Sequence, residues 1–218
     1  MCIRDSTRPV IGKNEINNIF ITYRDAIQYI HDQTIRFMNE GYYPDEISEM
    51  IELPQNLSSS PFLYEFYGTV RWSVKSIFNG YLGWFNGNPA ELDPLSRKEK
   101  AKRISKLAGG ENELIKELRL AVDKEDMQWA LELSDYLISL DLFNSEIKTL
   151  RQKALIHEGA KSSNPNKRNY FLSSAIELND EFELTNLMNI DDTFLDNLYI
   201  DTLFNFLSVS FNPEDHDG

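Results

Sequence analysis

The feature that most constrains this chain is a helical period that begins near its start. Ile16, Ile19, Phe20, Tyr23, Ile27, Ile30, Thr34 and Phe37 recur mostly at steps of three and four, which gathers them on one face of a long helix. Arg24, Asp25, Gln28, His31 and Asp32 fall on the opposite face. Asn14 is placed to cap the start of this helix and Gly41 to end it. Pro44 opens a short second helix, with Asp45 and Glu46 in the first turn where carboxylates suit the helix dipole. Leu53-Pro54 closes it. The two-residue alternation of a strand is scarce throughout, so the expected fold is mainly α.

The loop Ser58-Ser59-Ser60-Pro61 leads into a third helical region dense in aromatic rings. Among them Phe66, Tyr67, Trp72, Phe78, Trp84 and Phe85 are expected to divide between the core and an interface, because one helix face cannot hide so many. Asn86-Gly87-Asn88-Pro89 marks a turn. A basic helix over Leu95–Leu107 is expected to stop at Gly109-Gly110, where glycine supplies a left-handed cap. Helices over Glu111–Lys124, Met127–Leu140 and Ser145–Glu158 follow, the second with Trp129, Leu133, Leu137 and Leu140 on one side. The last two read as an antiparallel hairpin resembling one tetratricopeptide unit. A helix through Tyr170, Phe171, Ala175 and Leu178 comes after Ser162-Ser163-Asn164-Pro165, and Asp201 is placed to cap a final helix through Leu203, Phe206 and Leu207.

The net charge is −13, which argues against a nucleic-acid partner, since phosphate contacts need clustered Lys and Arg. It argues equally against docking on anionic lipid. Cys2 is the single cysteine, so no internal disulfide forms. No apolar run reaches the roughly 18 residues of a membrane span. A glycine-rich phosphate loop, a nucleophile elbow and a paired-cysteine metal motif are all missing. His31, His157 and His216 stand far apart with no His or Cys at ligand spacing, so each reads as a structural or solvated histidine. No catalytic residue and no metal ligand is therefore assigned from the residues alone. Met1 to Ser6 fit nothing that follows and are expected to be a non-native leader.

The stretch from Tyr67 to Pro89, with Tyr67-Gly68-Thr69-Val70-Arg71-Trp72 at its start and Tyr81-Leu82-Gly83-Trp84-Phe85-Asn86-Gly87 near its end, resembles the signature region of the alkyl sulfatases. The likeness continues in Tyr29-Ile30-His31-Asp32-Gln33-Thr34, Ile51-Glu52-Leu53-Pro54, Leu107-Ala108-Gly109-Gly110, Gln128-Trp129-Ala130 and Arg168-Asn169-Tyr170-Phe171-Leu172. The resemblance implies that residues 7–61 are the end of a metallo-β-lactamase-like catalytic domain with its connecting helices. It implies that 62–178 are a helical dimerisation domain, 179–192 a linker, and 193–218 the start of a sterol-carrier-like domain. For the whole protein it implies two zinc ions, an alkyl sulfate substrate such as dodecyl sulfate, and a homodimer. The zinc motif is absent from this chain, so none is expected to bind here. The tyrosine of Tyr81-Leu82-Gly83-Trp84 is implied as a contact to sulfate, set against a reading as a buried tyrosine with a local partner. Arg71-Trp72-Ser73 stands where one subgroup carries Ser-His-Asn, which leaves substrate preference open; Arg71 reads as a salt-bridge partner. The alternative is a free-standing helical interaction module without catalytic activity. The compartment is left open.

Overall fold

The computed structural model describes residues 9–179 and 199–210, all of them helix, turn or loop. The expected leader, nearly all of the linker, the first residues of the expected last domain and His216 lie outside the described residues. The described chain divides into two units, and the larger, which ends at Ile176, holds nine α-helices.

Helix α1 (Lys13–Asn39) packs against α2 (Pro44–Met50), α3 (Gln55–Ser58) and α4 (Val70–Leu82). Their shared core is Ile47, Ile51, Val74 and Phe78, onto which Tyr29, Ile30, Phe37 and Met38 close from α1. Ala26 and Thr34 are buried beside them, and Thr34 satisfies its hydroxyl on the Ile30 carbonyl at 2.6 Å. The sequence placed Ile16, Phe20 and Ile27 on the same face, but Phe20 stays 68% and Ile27 66% exposed. The apolar stripe is wider than its neighbours cover, and they cover its C-terminal half. Asn14 is not the cap either: the helix begins at Gly12, whose carbonyl accepts the Ile16 N–H at 3.0 Å, so Asn14 lies inside the first turn.

Helices α5 (Arg97–Ala108), α6 (Glu111–Asp123), α7 (Met127–Ser139) and α8 (Ser145–Lys161) form a second cluster around α7, which packs against the other three. This central place explains why Ala130, Leu131, Leu133, Ser134 and Leu137 are all buried, a wider set than the single side expected, while Trp129 lies at the margin. The anticipated α7–α8 hairpin is embedded in this cluster. Arg151 of α8 reaches across to α7, where Nη1 donates to Ser134 Oγ at 2.6 Å and Asp135 Oδ1 at 2.7 Å. Its side chain is only 20% exposed, and the Leu131 carbonyl is a third acceptor at 3.2 Å.

The C-terminal ends of α1, α5, α6 and α7 follow one pattern. After α1, Gly41 N–H bonds the Met38 carbonyl and Tyr42 N–H the Phe37 carbonyl, and Gly41 sits at φ +89°. After α5 the same pair of bonds is made by Gly109 and Gly110, as the sequence indicated. After α6 and α7 the left-handed position falls instead on Glu125 (φ 59°) and Asp141 (φ 62°). Asp141 has a compensating role, since its carboxylate accepts from Lys98 Nζ at 2.5 Å. Asn144 caps α8 through the Ile147 N–H at 3.0 Å. Helix α9 (Pro165–Glu177) lies so close to α8 that a Cβ on Gly159 would come within 2.7 Å of Leu172 Cδ2.

The smaller unit is described by helix α10 (Ile200–Ser210). It starts one residue before Asp201, with Tyr199 O accepting the Thr202 and Leu203 N–H groups, so Asp201 acts from within the first turn rather than as the cap.

Glu125→Gly is expected to stabilise the chain by roughly 0.5–1 kcal/mol. The left-handed cost of a side-chain residue, about 1–2 kcal/mol, exceeds the entropy cost of glycine, about 0.5–1 kcal/mol. Urea unfolding of the two chains measures it, and an unchanged or lower midpoint contradicts the assignment of strain at this turn.

Candidate functional site

Helix α4 starts where Thr69 Oγ1 accepts the Trp72 N–H at 3.0 Å. Val70, Val74 and Phe78 repeat every four residues and face α1 and α2, while Trp72, Ser76 and Asn79 run along the opposite, exposed side. Tyr81, three residues after Phe78, extends the inward row to the end of the helix and meets α1. Its hydroxyl lies 2.8 Å from His31 Nε2, and His31 Nδ1 lies 2.9 Å from Asp32 Oδ1. The two rings are tilted, with centroids 5.7 Å apart. Tyr81 as a residue remains 61% exposed, while its hydroxyl is engaged with His31. The expectation for His31 was a solvated helix face or a local bond. The pairing with a tyrosine 50 positions away had no local signal.

The other singled-out aromatics separate. Phe78 is buried and Phe85 half-buried, whereas Phe66, Tyr67, Trp72 and Trp84 are exposed. Trp84 is 74% exposed beyond Gly83, whose φ of +79° turns the chain out of α4. Arg71 Nη2 pairs with Glu49 Oε1 at 3.0 Å, and Lys75 pairs with Asp45, so both cations of α4 are tied to α2. A surface groove of about 660 Å³ runs between these elements, edged by Glu49, Glu52, Tyr64, Glu65 and Arg71.

The segment between α3 and α4 is fixed from a distance. Asn164 Nδ2 donates to the Glu65 carbonyl at 2.7 Å, and Asn166 Nδ2 donates to the Tyr67 carbonyl at 3.0 Å. Asn164 is buried, and its Oδ1 also accepts the Lys167 N–H at 3.0 Å, capping α9. Glu65 Oε1 in turn accepts the Val70 N–H at 2.7 Å at the start of α4. One chain of polar contacts thus runs from the head of α9 to the head of α4.

Among the described residues no three His, Cys, Asp or Glu side chains converge as a metal site requires, so they do not fit zinc. His31 and His157 lie on α1 and α8 respectively. The perturbed acids are surface partners of cations. The hydrogen bond from Arg119 (2.5 Å from Nε) holds the Glu146 carboxyl below the ordinary carboxylate range, and Lys102 does the same for Glu99. A lowered carboxyl contributes stability above the ordinary carboxylate range and loses it as pH falls through the lowered value. No helix of the described residues is long and apolar enough to cross a membrane.

Comparison with known proteins places these features. Residues 43–181 match the family described as Alkyl sulfatase dimerisation. The chain is 43% identical over 177 residues to a linear primary-alkylsulfatase of a Pseudomonas species, covering 81% of this chain and 34% of that protein. An (R)-specific secondary-alkylsulfatase of Pseudomonas is 30% identical over 177 residues, covering 81% and 27%. The solved structure of the stereoselective inverting sec-alkylsulfatase Pisa1 from Pseudomonas superposes with a TM-score of 0.79 at 27% identity, over 94% of this chain and 32% of that one. The chain spans about a third of the length of the relatives it matches.

Asn164→Ala is expected to cost about 1–3 kcal/mol, because it removes a helix cap and leaves the Glu65 carbonyl without its donor. Asn166→Ala, at an exposed site, is expected to cost less than about 1 kcal/mol. Equal urea midpoints for the two variants contradict this division.

Proposed function

The chain belongs to the alkyl sulfatase dimerisation family, and from that premise we propose that it pairs the subunits of a zinc-dependent alkyl sulfatase acting on alkyl sulfate esters such as dodecyl sulfate. Such hydrolysis adds water across the sulfate ester and releases the alcohol and sulfate. The observation that carries the pairing role is the set of large rings left on the surface of the matched region. Trp72 stands on the outer side of α4, with Phe66 and Tyr67 just before that helix and Trp84 just after it. Exposed Trp, Tyr and Phe in one short stretch are costly to leave in water and are the residues that concentrate in interface cores. A second copy of the chain, related by a two-fold axis, is the partner proposed for them.

An alkyl sulfate ester as the substrate class is supported by the relatives' shared description as alkylsulfatases; identities of 43% and 31% to linear primary enzymes and 30% to an (R)-specific secondary one do not choose between primary and secondary esters. The zinc pair is proposed for the whole protein. Since the described residues do not fit it, no chemical step is assigned to them through the metal. The part these residues take in the site is proposed to run through Tyr81, an exposed residue whose hydroxyl is of a type suited to a sulfate oxygen.

Light scattering at micromolar concentration is expected to find a dimer. Trp72→Glu is expected to weaken it by about tenfold or more, the effect of losing one central aromatic of about 2 kcal/mol, with helicity unchanged. A monomeric wild-type chain removes the pairing role, and a fully dimeric variant moves the interface away from α4.

A further inference from the structure

The chain Tyr81–His31–Asp32 carries more than a clamp between α1 and α4. Asp32 ends it, and an ionised carboxylate only accepts hydrogen bonds. Its contact with His31 Nδ1 at 2.9 Å therefore needs a proton on Nδ1. In the neutral ring the other nitrogen, Nε2, then holds a lone pair, and the Tyr81 hydroxyl at 2.8 Å donates its proton to it. In that state Tyr81 turns only lone pairs outward and repels an anion's oxygens. When the ring takes up a second proton, Nε2–H becomes the donor and Tyr81 Oη the acceptor. The phenolic proton is then free to point away from α1, and Tyr81, 61% exposed, can donate to an anion.

We propose that His31 is a positioning residue whose protonation sets the direction of the Tyr81 hydroxyl, so that Tyr81 receives a sulfate group only when His31 is the imidazolium held by Asp32. This rests on the reading of Tyr81 as a sulfate contact. No covalent step is involved: one proton from solvent enters at Nε2, and the phenolic proton rotates from the ring to the ligand.

The surroundings leave this exchange to the three residues. The elements packed against α1 are α2, α3, α4 and the turn Pro61–Leu63. Charged groups of α2 are engaged elsewhere: Asp45 with Lys75, Glu49 with Arg71, and Glu46 with the Tyr43 N–H at 2.8 Å. Arg71 and Lys75 lie about 15 Å and about 9 Å back along α4 from Tyr81, at about 1.5 Å per residue. Helix α3 and the Pro61–Leu63 turn carry no charged side chain. On α1 itself Asp25 is paired with Arg24, and Arg36 with Glu40.

The test uses the 218-residue chain with nitrogen-15 histidine and tyrosine labelled at the ring carbon bearing oxygen, and inorganic sulfate as the probe against chloride of equal ionic strength. Tyr81→Phe assigns the Tyr81 signal. Two pH values are chosen from the nitrogen-15 signals, one at which His31 shows the neutral ring and one at which it shows the imidazolium. The neutral ring is expected to carry its proton on Nδ1. Sulfate is expected to shift the Tyr81 signal at the imidazolium pH, and at least about tenfold more sulfate is needed for the same shift at the neutral-ring pH. His31→Lys, whose ammonium can only donate, is expected to respond at both values. A neutral ring protonated on Nε2, or an equal wild-type response at both pH values, overturns the inference and leaves the sulfate reading of Tyr81 standing. An Nδ1-protonated ring with no Tyr81 response to sulfate, in the wild type at either pH and in His31→Lys, overturns the sulfate reading and the inference with it. The ring measurement needs no variant, so a His31→Lys chain that fails to fold still leaves a decisive result.

Discussion

Two side-chain amides join helices far apart in the chain. Asn164 and Asn166, at the head of α9, hold the carbonyls of Glu65 and Tyr67, which belong to the connection into α4. That connection has no regular structure of its own after the Pro61–Leu63 turn, so its backbone polar groups need partners from outside. Asn164 does this while buried, and it simultaneously starts α9. The position of Thr69, the start of α4, and so the outward aim of Trp72 and the reach of Tyr81, depend on a segment fixed in this way. The polar contacts here specify a path for the chain, whereas Ile47, Val74 and Phe78 supply the burial that makes the path worth taking.

What could be read from sequence was local. Gly41 and Gly109 end helices because a left-handed residue is needed there, and glycine announces it. Pro44 opens a helix for an equally local reason, whereas Pro165, read as part of a break, is the first residue of α9. The errors were of one residue or one face. Asn14 and Asp201 are good capping types but sit one or two places inside their helices, because the actual start is set by Gly12 and Tyr199. Period alone could not say that Phe20 and Ile27 stay uncovered while Ala26 and Thr34 are buried, since coverage depends on where α2 and α4 lie. The Tyr81–His31 bond and the Asn164–Glu65 bond join positions 50 and 99 apart, and no short-range rule marks either partner. Family likeness singled out Tyr81 as an expectation, and the group that holds it came only from the packing of α1 on α4.

Among the described residues, two of the exposed apolar areas belong to the larger unit and differ in kind. The aromatic one around Trp72 lies within the part of the chain that matches the dimerisation family, and the stripe of Phe20 and Ile27 on α1 lies before it. An acidic chain keeps such areas from indiscriminate association, because a net charge of −13 adds repulsion wherever contacts are not complementary. Pairing through rings and insulation through charge are thus compatible in one molecule: the first works at contact distance and the second beyond it.

The close passage of α8 and α9 at Gly159 leaves one volume shared by two positions, since any side chain there meets Leu172. Bulk added at 159 therefore depends on what stands at 172. A methyl gained at 159 has to be matched by a slimmer residue at 172 or by a lateral shift of α9. That shift would carry Asn164 with it and slacken the start of α4. The history of this chain should be written at these two sites in pairs of changes, with the hydrogen bonds at Glu65 and Tyr67 acting as the brake on every other route.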